Sequence, residues 1–223
     1  MKNIALYFIV SLFIGNCYAQ SVNIDMATER GLMSKAASKK INAIGSPYIN
    51  ESFNPVRIKQ FNDQIYTGRY NAYNDEMEIR LSDGKIVALD VNADYSLIFT
   101  QTNKTYVTTN FPNKNGTSRR GFLVLVDDSE RHNLYKKEFI KYYDKVLAAS
   151  TYQQDKPASF KRESDTFYLE LNGETKLVPQ KKKDLIKVFP EHGSNIKSFI
   201  KKNKLNPKNE EDLIKIVDYL STL

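Results

Sequence analysis

Glu76-Met77-Glu78-Ile79-Arg80-Leu81-Ser82-Asp83-Gly84-Lys85-Ile86-Val87-Ala88-Leu89 decides the fold class. Met77, Ile79 and Leu81 alternate with Glu76, Glu78 and Arg80, the two-residue repeat that turns one face of a strand towards a core. Asp83-Gly84 has the composition of a type I′ turn, in which both central residues take positive φ. A two-residue loop there pairs Leu81 with Ile86 and Ile79 with Ala88, so apolar meets apolar on one face. Periodicity and turn chemistry together predict an antiparallel hairpin.

The same repeat runs from about residue 56 to 178. Stretches 95–100 and 105–109 form a second hairpin across Thr102-Asn103-Lys104. After a polar loop at 110–120, Phe122-Leu123-Val124-Leu125-Val126 is continuously apolar and reads as a central strand buried on both faces. Residues 134–147 suit a helix through Tyr135, Phe139, Tyr142 and Val146, and a strand through Phe139-Ile140 and Tyr142-Tyr143. A last hairpin lies at Asn172-Gly173, with two registers open. The two-residue turn pairs Leu169 with Lys176, whereas the apolar pattern prefers Leu169 opposite Leu177.

After Pro179 the period changes to 3.6. Leu185, Val188 and Phe189 form one stripe, closed by Pro190. Ile196, Phe199 and Ile200 form a second, opened by Gly193-Ser194. Leu213, Ile216, Val217 and Leu220 form a third, with Asn209 as N-cap before Glu210-Glu211-Asp212 in the positive first turn. Helices this short do not stand alone, so their apolar faces must pack on each other or on the sheet. The predicted architecture is α+β: an antiparallel, curved β-meander sheet over 46–178, then a three-helix C-terminal segment over 179–223 packed on it. Residues 20–45 are polar and small and read as a leader or short helix, ended by Gly45-Ser46-Pro47.

The first nineteen residues read as a secretory signal peptide. Lys2 is a positive start, residues 4–14 are almost unbroken apolar sequence, and Cys17-Tyr18-Ala19 offers a cleavage site after Ala19. Eleven apolar residues are too short for a helix crossing ~30 Å of hydrocarbon. The rival reading makes Cys17 a lipid-modified cysteine, but Asn16 stands where a small Gly or Ala belongs. Cleavage after Ala19 removes the chain's one cysteine, and with it thiol catalysis, disulfides and zinc–thiolate sites.

Chemistry-bearing patterns are sparse in these 223 residues, which include two histidines. There is no Gly-rich phosphate loop, no G-x-S-x-G elbow and no H-E-x-x-H helix, and no cofactor is expected. Asp90, Asn92, Asp94 and Ser96 occupy the first, third, fifth and seventh places of a calcium loop. Tyr95 and Gln101 break that pattern where Gly and a closing Glu belong, so the loop reads more simply as a polar turn. Asp127, Asp128 and Glu130, with His132, could bind a metal or perform acid–base work, or form a solvated turn. Glu76 and Glu78 share one side of a strand about 7 Å apart, a spacing seen in paired glycosidase carboxylates. A half-covered sheet face with local charge pairing accounts for them better.

Charge is the remaining signal. Lysines and arginines number 33 against 26 acidic residues, a net +7, but residues 179–204 carry eight lysines against Asp184 and Glu191. That excess of +6 is concentrated in the predicted helices. Lys181, Lys182, Lys183, Lys197, Lys201 and Lys202 are the candidate contact surface for an anionic partner. A solvated helix face is the simpler account of the same lysines. The stretch has no Arg, and its Phe189 and Phe199 belong to the apolar stripes, which disfavours nucleic acid.

Gly45-Ser46-Pro47-Tyr48-Ile49-Asn50 and Arg69-Tyr70-Asn71-Ala72-Tyr73-Asn74-Asp75-Glu76 continue in Lys156-Pro157-Ala158-Ser159-Phe160, Ser164-Asp165-Thr166-Phe167, Phe189-Pro190 and Glu210-Glu211-Asp212-Leu213. Together they resemble an uncharacterised family of exported proteins from Bacteroidetes-type bacteria. The resemblance implies a diderm envelope, periplasmic or at the outer membrane or cell surface, and one unit from Gly45 onward. It brings no catalytic residue. The expected function is a non-enzymatic binding or scaffolding protein whose partner is an envelope protein or an anionic envelope component. The alternatives are a hydrolase or calcium-dependent module using an acidic loop, and an accessory subunit of an outer-membrane assembly.

Overall fold

The alternating sequence forms strands almost throughout. A computed structural model describes residues 34–113, 115–150 and 153–223. The strands are β1 (Ser34–Ala36), β2 (Asn54–Ile58), β3 (Gln64–Asn71), β4 (Glu76–Arg80), β5 (Ile86–Leu89), β6 (Ser96–Phe99), β7 (Lys104–Pro112), β8 (Ser118–Asp128), β9 (His132–Lys137), β10 (Ile140–Tyr143), β11 (Ser159–Arg162), β12 (Thr166–Leu171) and β13 (Glu174–Val178). Helices α1 (Lys182–Val188), α2 (Gly193–Lys202) and α3 (Glu210–Leu220) follow them. Residues 1–33 lie outside the described residues, and with them the signal-peptide and Cys17 readings. No helix among the described residues is long and apolar enough to cross a membrane.

Eleven strands make one antiparallel sheet in the order β1-β5-β4-β3-β2-β6-β7-β8-β9-β12-β13, and β10 and β11 pair separately. The molecule is therefore richer in sheet than a plain α+β description, and its order is not a simple meander. After β5 the chain returns to place β6 beside β2, where Phe99 faces Val56 and Leu97 faces Ile58, all buried. The edge of β5 takes β1, so Ser34–Ala36 is a strand rather than part of a leader helix. At the other end β13 contacts β7 across three intervening strands, so this half of the sheet is tightly curled.

Three buried clusters follow from that curl. Tyr66, Tyr70, Met77, Ile79, Leu97 and Phe122 build the largest, joined by Ile140 of β10 and Phe160 of β11. Phe111, Leu123, Tyr135 and Tyr168 fill the inside of the curled half. Leu134, Phe167, Leu169 and Val178 meet Leu185, Ile196, Ile200, Leu213, Ile216 and Leu220 of the helices. Phe122 and Leu123 belong to different clusters, so β8 is buried on both faces as its apolar run predicts. Within 134–147, residues 134–137 and 140–143 resolve as parts of strands β9 and β10, and none is helical.

Turn chemistry decides two registers. Asn172 and Gly173 both take positive φ, 53° and 78°, so the two-residue turn prevails and Leu169 faces Lys176. The first hairpin departs from expectation. Leu81 N–H donates to the Lys85 carbonyl at 2.8 Å, and Ile79 faces Val87 rather than Ala88. Only Gly84 is left-handed, at φ 84°. Asp83 instead uses its carboxylate to accept from Lys85 N–H at 2.9 Å. The loop thus holds three residues, which brings the bulkier Val87 and Leu89 to the core cluster in place of Ile86 and Ala88. The loop between β7 and β8 also shrinks: residues 110–112 and 118–120 of the expected polar loop pair as strand.

Candidate functional site

Lys181, Lys183, Lys197, Lys201 and Lys202 are exposed and Lys182 is half-buried. Lys197 and Lys201 lie one turn apart on α2, on the face beside buried Ile196 and Ile200. Lys201 and Lys202 occupy the last turn, where cations suit the helix dipole. Lys181 is the N-cap of α1 and Lys182 and Lys183 its first two residues, where positive charge opposes the dipole. Among the described residues, none of these six ammonium groups comes within 4.0 Å of a carboxylate, whereas Lys187 pairs with Asp184 at 3.9 Å.

The acidic turn is reorganised by a bulge. Register along β8 and β9 shifts between Leu125 and Asp127, so Asp127 faces Leu134. An unbroken ladder would face Asp127 to Asn133, on the opposite side of the sheet. The extra residue turns Asp127 to the face of Leu134 and His132, where α3 packs. Asp127 Oδ2 lies 3.0 Å from His132 Nε2, and Asp218 Oδ1 of α3 lies 3.5 Å from the same nitrogen. His132 Nδ1 is 2.9 Å from Ser129 Oγ. Asp128 and Glu130 are exposed and take no part in this cluster. Although Ser, His and Asp meet here, Ser129 Oγ also accepts from His132 N–H at 3.2 Å, which makes it a turn-closing residue.

Beside this turn is an open cleft of about 820 Å³, lined by His132, Glu130, Glu170, Glu174, Glu191 and Arg131 among others. Its charged lining is mainly acidic. Tyr135 donates to Glu170 at 2.6 Å, and burial, with that hydrogen bond, pushes the Tyr135 hydroxyl above the usual phenol range.

The calcium-loop residues do not converge. Asp90 Oδ1 accepts from Asn92 N–H at 3.0 Å and Nδ2 at 2.9 Å, Asp94 pairs with Arg120, and Ser96 opens β6. Glu76 and Glu78 do pair locally, but they are buried rather than half-covered. Segment 35–51 lies over them, with Lys35 Nζ 3.1 Å from Glu76 and Tyr48 donating to Glu78 at 3.1 Å. Arg69 completes the Glu78 site at 2.8 Å and stacks over the Tyr48 ring. Burial, with Glu78 beside it, pushes the Tyr48 hydroxyl up to about 12.

A second charged centre gives no sequence signal. Lys137 of β9 is only 5% exposed and ion-pairs with Asp75. It also donates to Tyr70 Oη at 2.8 Å and the Phe122 carbonyl at 2.9 Å. Burial pushes the Lys137 ammonium down to about 8, against the pull of Asp75. The same burial, with Asp75 adjacent, raises Tyr70 well above the phenol range. With every hydrogen-bonding group of this knot internally matched, it serves to lock β3, β8 and β9 together. No protein-family model, curated protein or solved structure matches this chain.

Proposed function

We propose that this chain is a non-enzymatic binding or scaffolding protein of an exported, envelope type, and that it contacts a phosphate-bearing anionic component through the lysines of α1 and α2. The carrying observation is that Lys181, Lys182 and Lys183 crowd the positive end of α1 without a carboxylate partner among the described residues. Asp184 in the same turn offsets part of this charge, but each lysine there still costs about 0.3–1 kcal/mol against the dipole. An anionic surface reverses that sign. Each lysine near such a surface contributes about 1 kcal/mol, decaying within a Debye length of about 8 Å at physiological salt.

The test is co-sedimentation with phosphatidylglycerol-containing vesicles, pure phosphatidylcholine vesicles serving as control. The expected result is binding to the anionic vesicles alone, weakening steeply as salt rises. Reversing Lys181, Lys182, Lys183, Lys197, Lys201 and Lys202 to glutamate abolishes it while the melting temperature holds, because the changes at α1 favour the helix. Undiminished vesicle binding by a folded six-fold variant would refute the proposal.

A further inference from the structure

We infer that Asp127, His132 and Asp218 form a zinc site that ties α3 to the β8–β9 hairpin. It is independent of the lysine face. One donor atom each from Asp127, His132 and Asp218 lie within 4.8 Å of one another, drawn from the β8–β9 hairpin and from α3 more than eighty residues further along the chain. Ligands 2.0–2.1 Å from a tetrahedral Zn²⁺ stand about 3.3 Å apart. The two separations from Nε2, 3.0 and 3.5 Å, bracket that value. One imidazole nitrogen with two carboxylates suits Zn²⁺, whereas Ca²⁺ and Mg²⁺ favour all-oxygen shells.

Three further features favour a cation there. His132 is 4% exposed and its Nδ1 is held by Ser129 Oγ, so the ring presents Nε2 to the two carboxylates, as outer-shell hydrogen bonding does at metal-bound histidines. Asp218 stands in the last turn of α3, where the dipole already concentrates negative charge and where no basic residue is placed. A cation relieves both. The scaffold also holds the donors in register. Lys136 pairs with Glu210 at 2.6 Å at the start of α3, and His132 meets Asp218 near its end. Four residues of strand span about 13 Å and eight of helix about 12 Å, so the helix lies antiparallel along β9 with both contacts matched. The three protein donors leave a fourth position on the side of Asp218, whose side chain is more than half exposed.

Calorimetry and thermal melting of the purified chain with Zn²⁺, Ca²⁺ or Mg²⁺ test this directly. One Zn²⁺ per chain is expected, with a raised melting temperature that EDTA reverses and that Ca²⁺ and Mg²⁺ do not reproduce. Asp218→Asn is the informative variant because its side chain is more than half exposed and the change is isosteric. It is expected to weaken Zn²⁺ at least about tenfold, while His192→Gln leaves the affinity unchanged. Cobalt in place of zinc is expected to give the intense visible bands of a four-coordinate site, lost in Asp218→Asn. Absence of Zn²⁺ binding, unchanged affinity in Asp218→Asn, or loss in His192→Gln would each overturn the assignment.

Discussion

Replacing Gly121 by alanine is expected to destabilise the protein by about 2–3 kcal/mol, more than one methyl group ordinarily does. A Cβ at Gly121 would fall well inside van der Waals contact of Asp75 Oδ2, 3.1 Å from its Cγ and 3.3 Å from Phe111 Cε1. Asp75 cannot step aside freely. Its backbone is left-handed at φ 59°, and its carboxylate accepts from Tyr70 Oη at 2.8 Å and Phe122 N–H at 3.2 Å while pairing with Lys137 and Arg119. If the carboxylate retreats, the Lys137 ammonium stays buried without its counter-ion, a loss of about 3–5 kcal/mol. If it stays, overpacking costs about 1–3 kcal/mol and Phe111 must shift. Urea unfolding followed by circular dichroism measures the result. At a slope of about 2–3 kcal/mol per molar the midpoint falls by roughly 1 M. Gly116→Ala is the control, since no atom crowds its Cβ and only its φ of 83° is strained, at about 1 kcal/mol. Equal midpoints for the two variants would refute the claim that Asp75 is held in place.

Stability is expected to rise with pH from about 8 towards 10 and to fall above it. The unfolded chain keeps a proton on Lys137 up to its ordinary value of 10.5 while the folded protein releases it near 8, so the unfolded state binds more protons across that window. The gain approaches ~1.4 kcal/mol per pH unit. Above 10 the sign reverses, because buried Tyr70 and Tyr106 keep their protons after the unfolded phenols lose theirs. Urea midpoints measured across this range report both limbs; a flat profile between pH 8 and 10 would show that Lys137 is not depressed, and Lys137→Met is expected to remove the rise alone. Asn209→Ala removes the side-chain acceptor for Asp212 N–H, now 3.0 Å away, and is expected to cost about 1 kcal/mol. Hydrogen exchange should then quicken first at the start of α3.

Local rules carry far in this chain. The two-residue repeat over 56–178, the Asn172-Gly173 turn, the change of period after Pro179 and the Asn209 cap each depend on neighbours within a turn or two, and each appears where its residues place it. The lysine run is likewise visible as composition, though its placement at the positive end of α1 needs the helix boundary. Tertiary structure decided everything that depends on which distant segment fills a face. Segment 35–51 covers Glu76 and Glu78, and no periodicity reveals a cover drawn from elsewhere in the chain. The return of β6 to β2 is settled by apolar pairing across some forty residues. The Asp127 side chain changes face through one bulged residue, whose signal is a mismatch between two ladders rather than any pattern within one strand. Asp218 then reaches His132 only because helix rise and strand rise match along a shared axis. Sequence alone thus determined most of the elements and the composition of their surfaces, but not strand β1 or the strand character of 134–143. The charged groups that meet were chosen by packing, because electrostatic partners act through space at a few ångströms and take no account of distance along the chain.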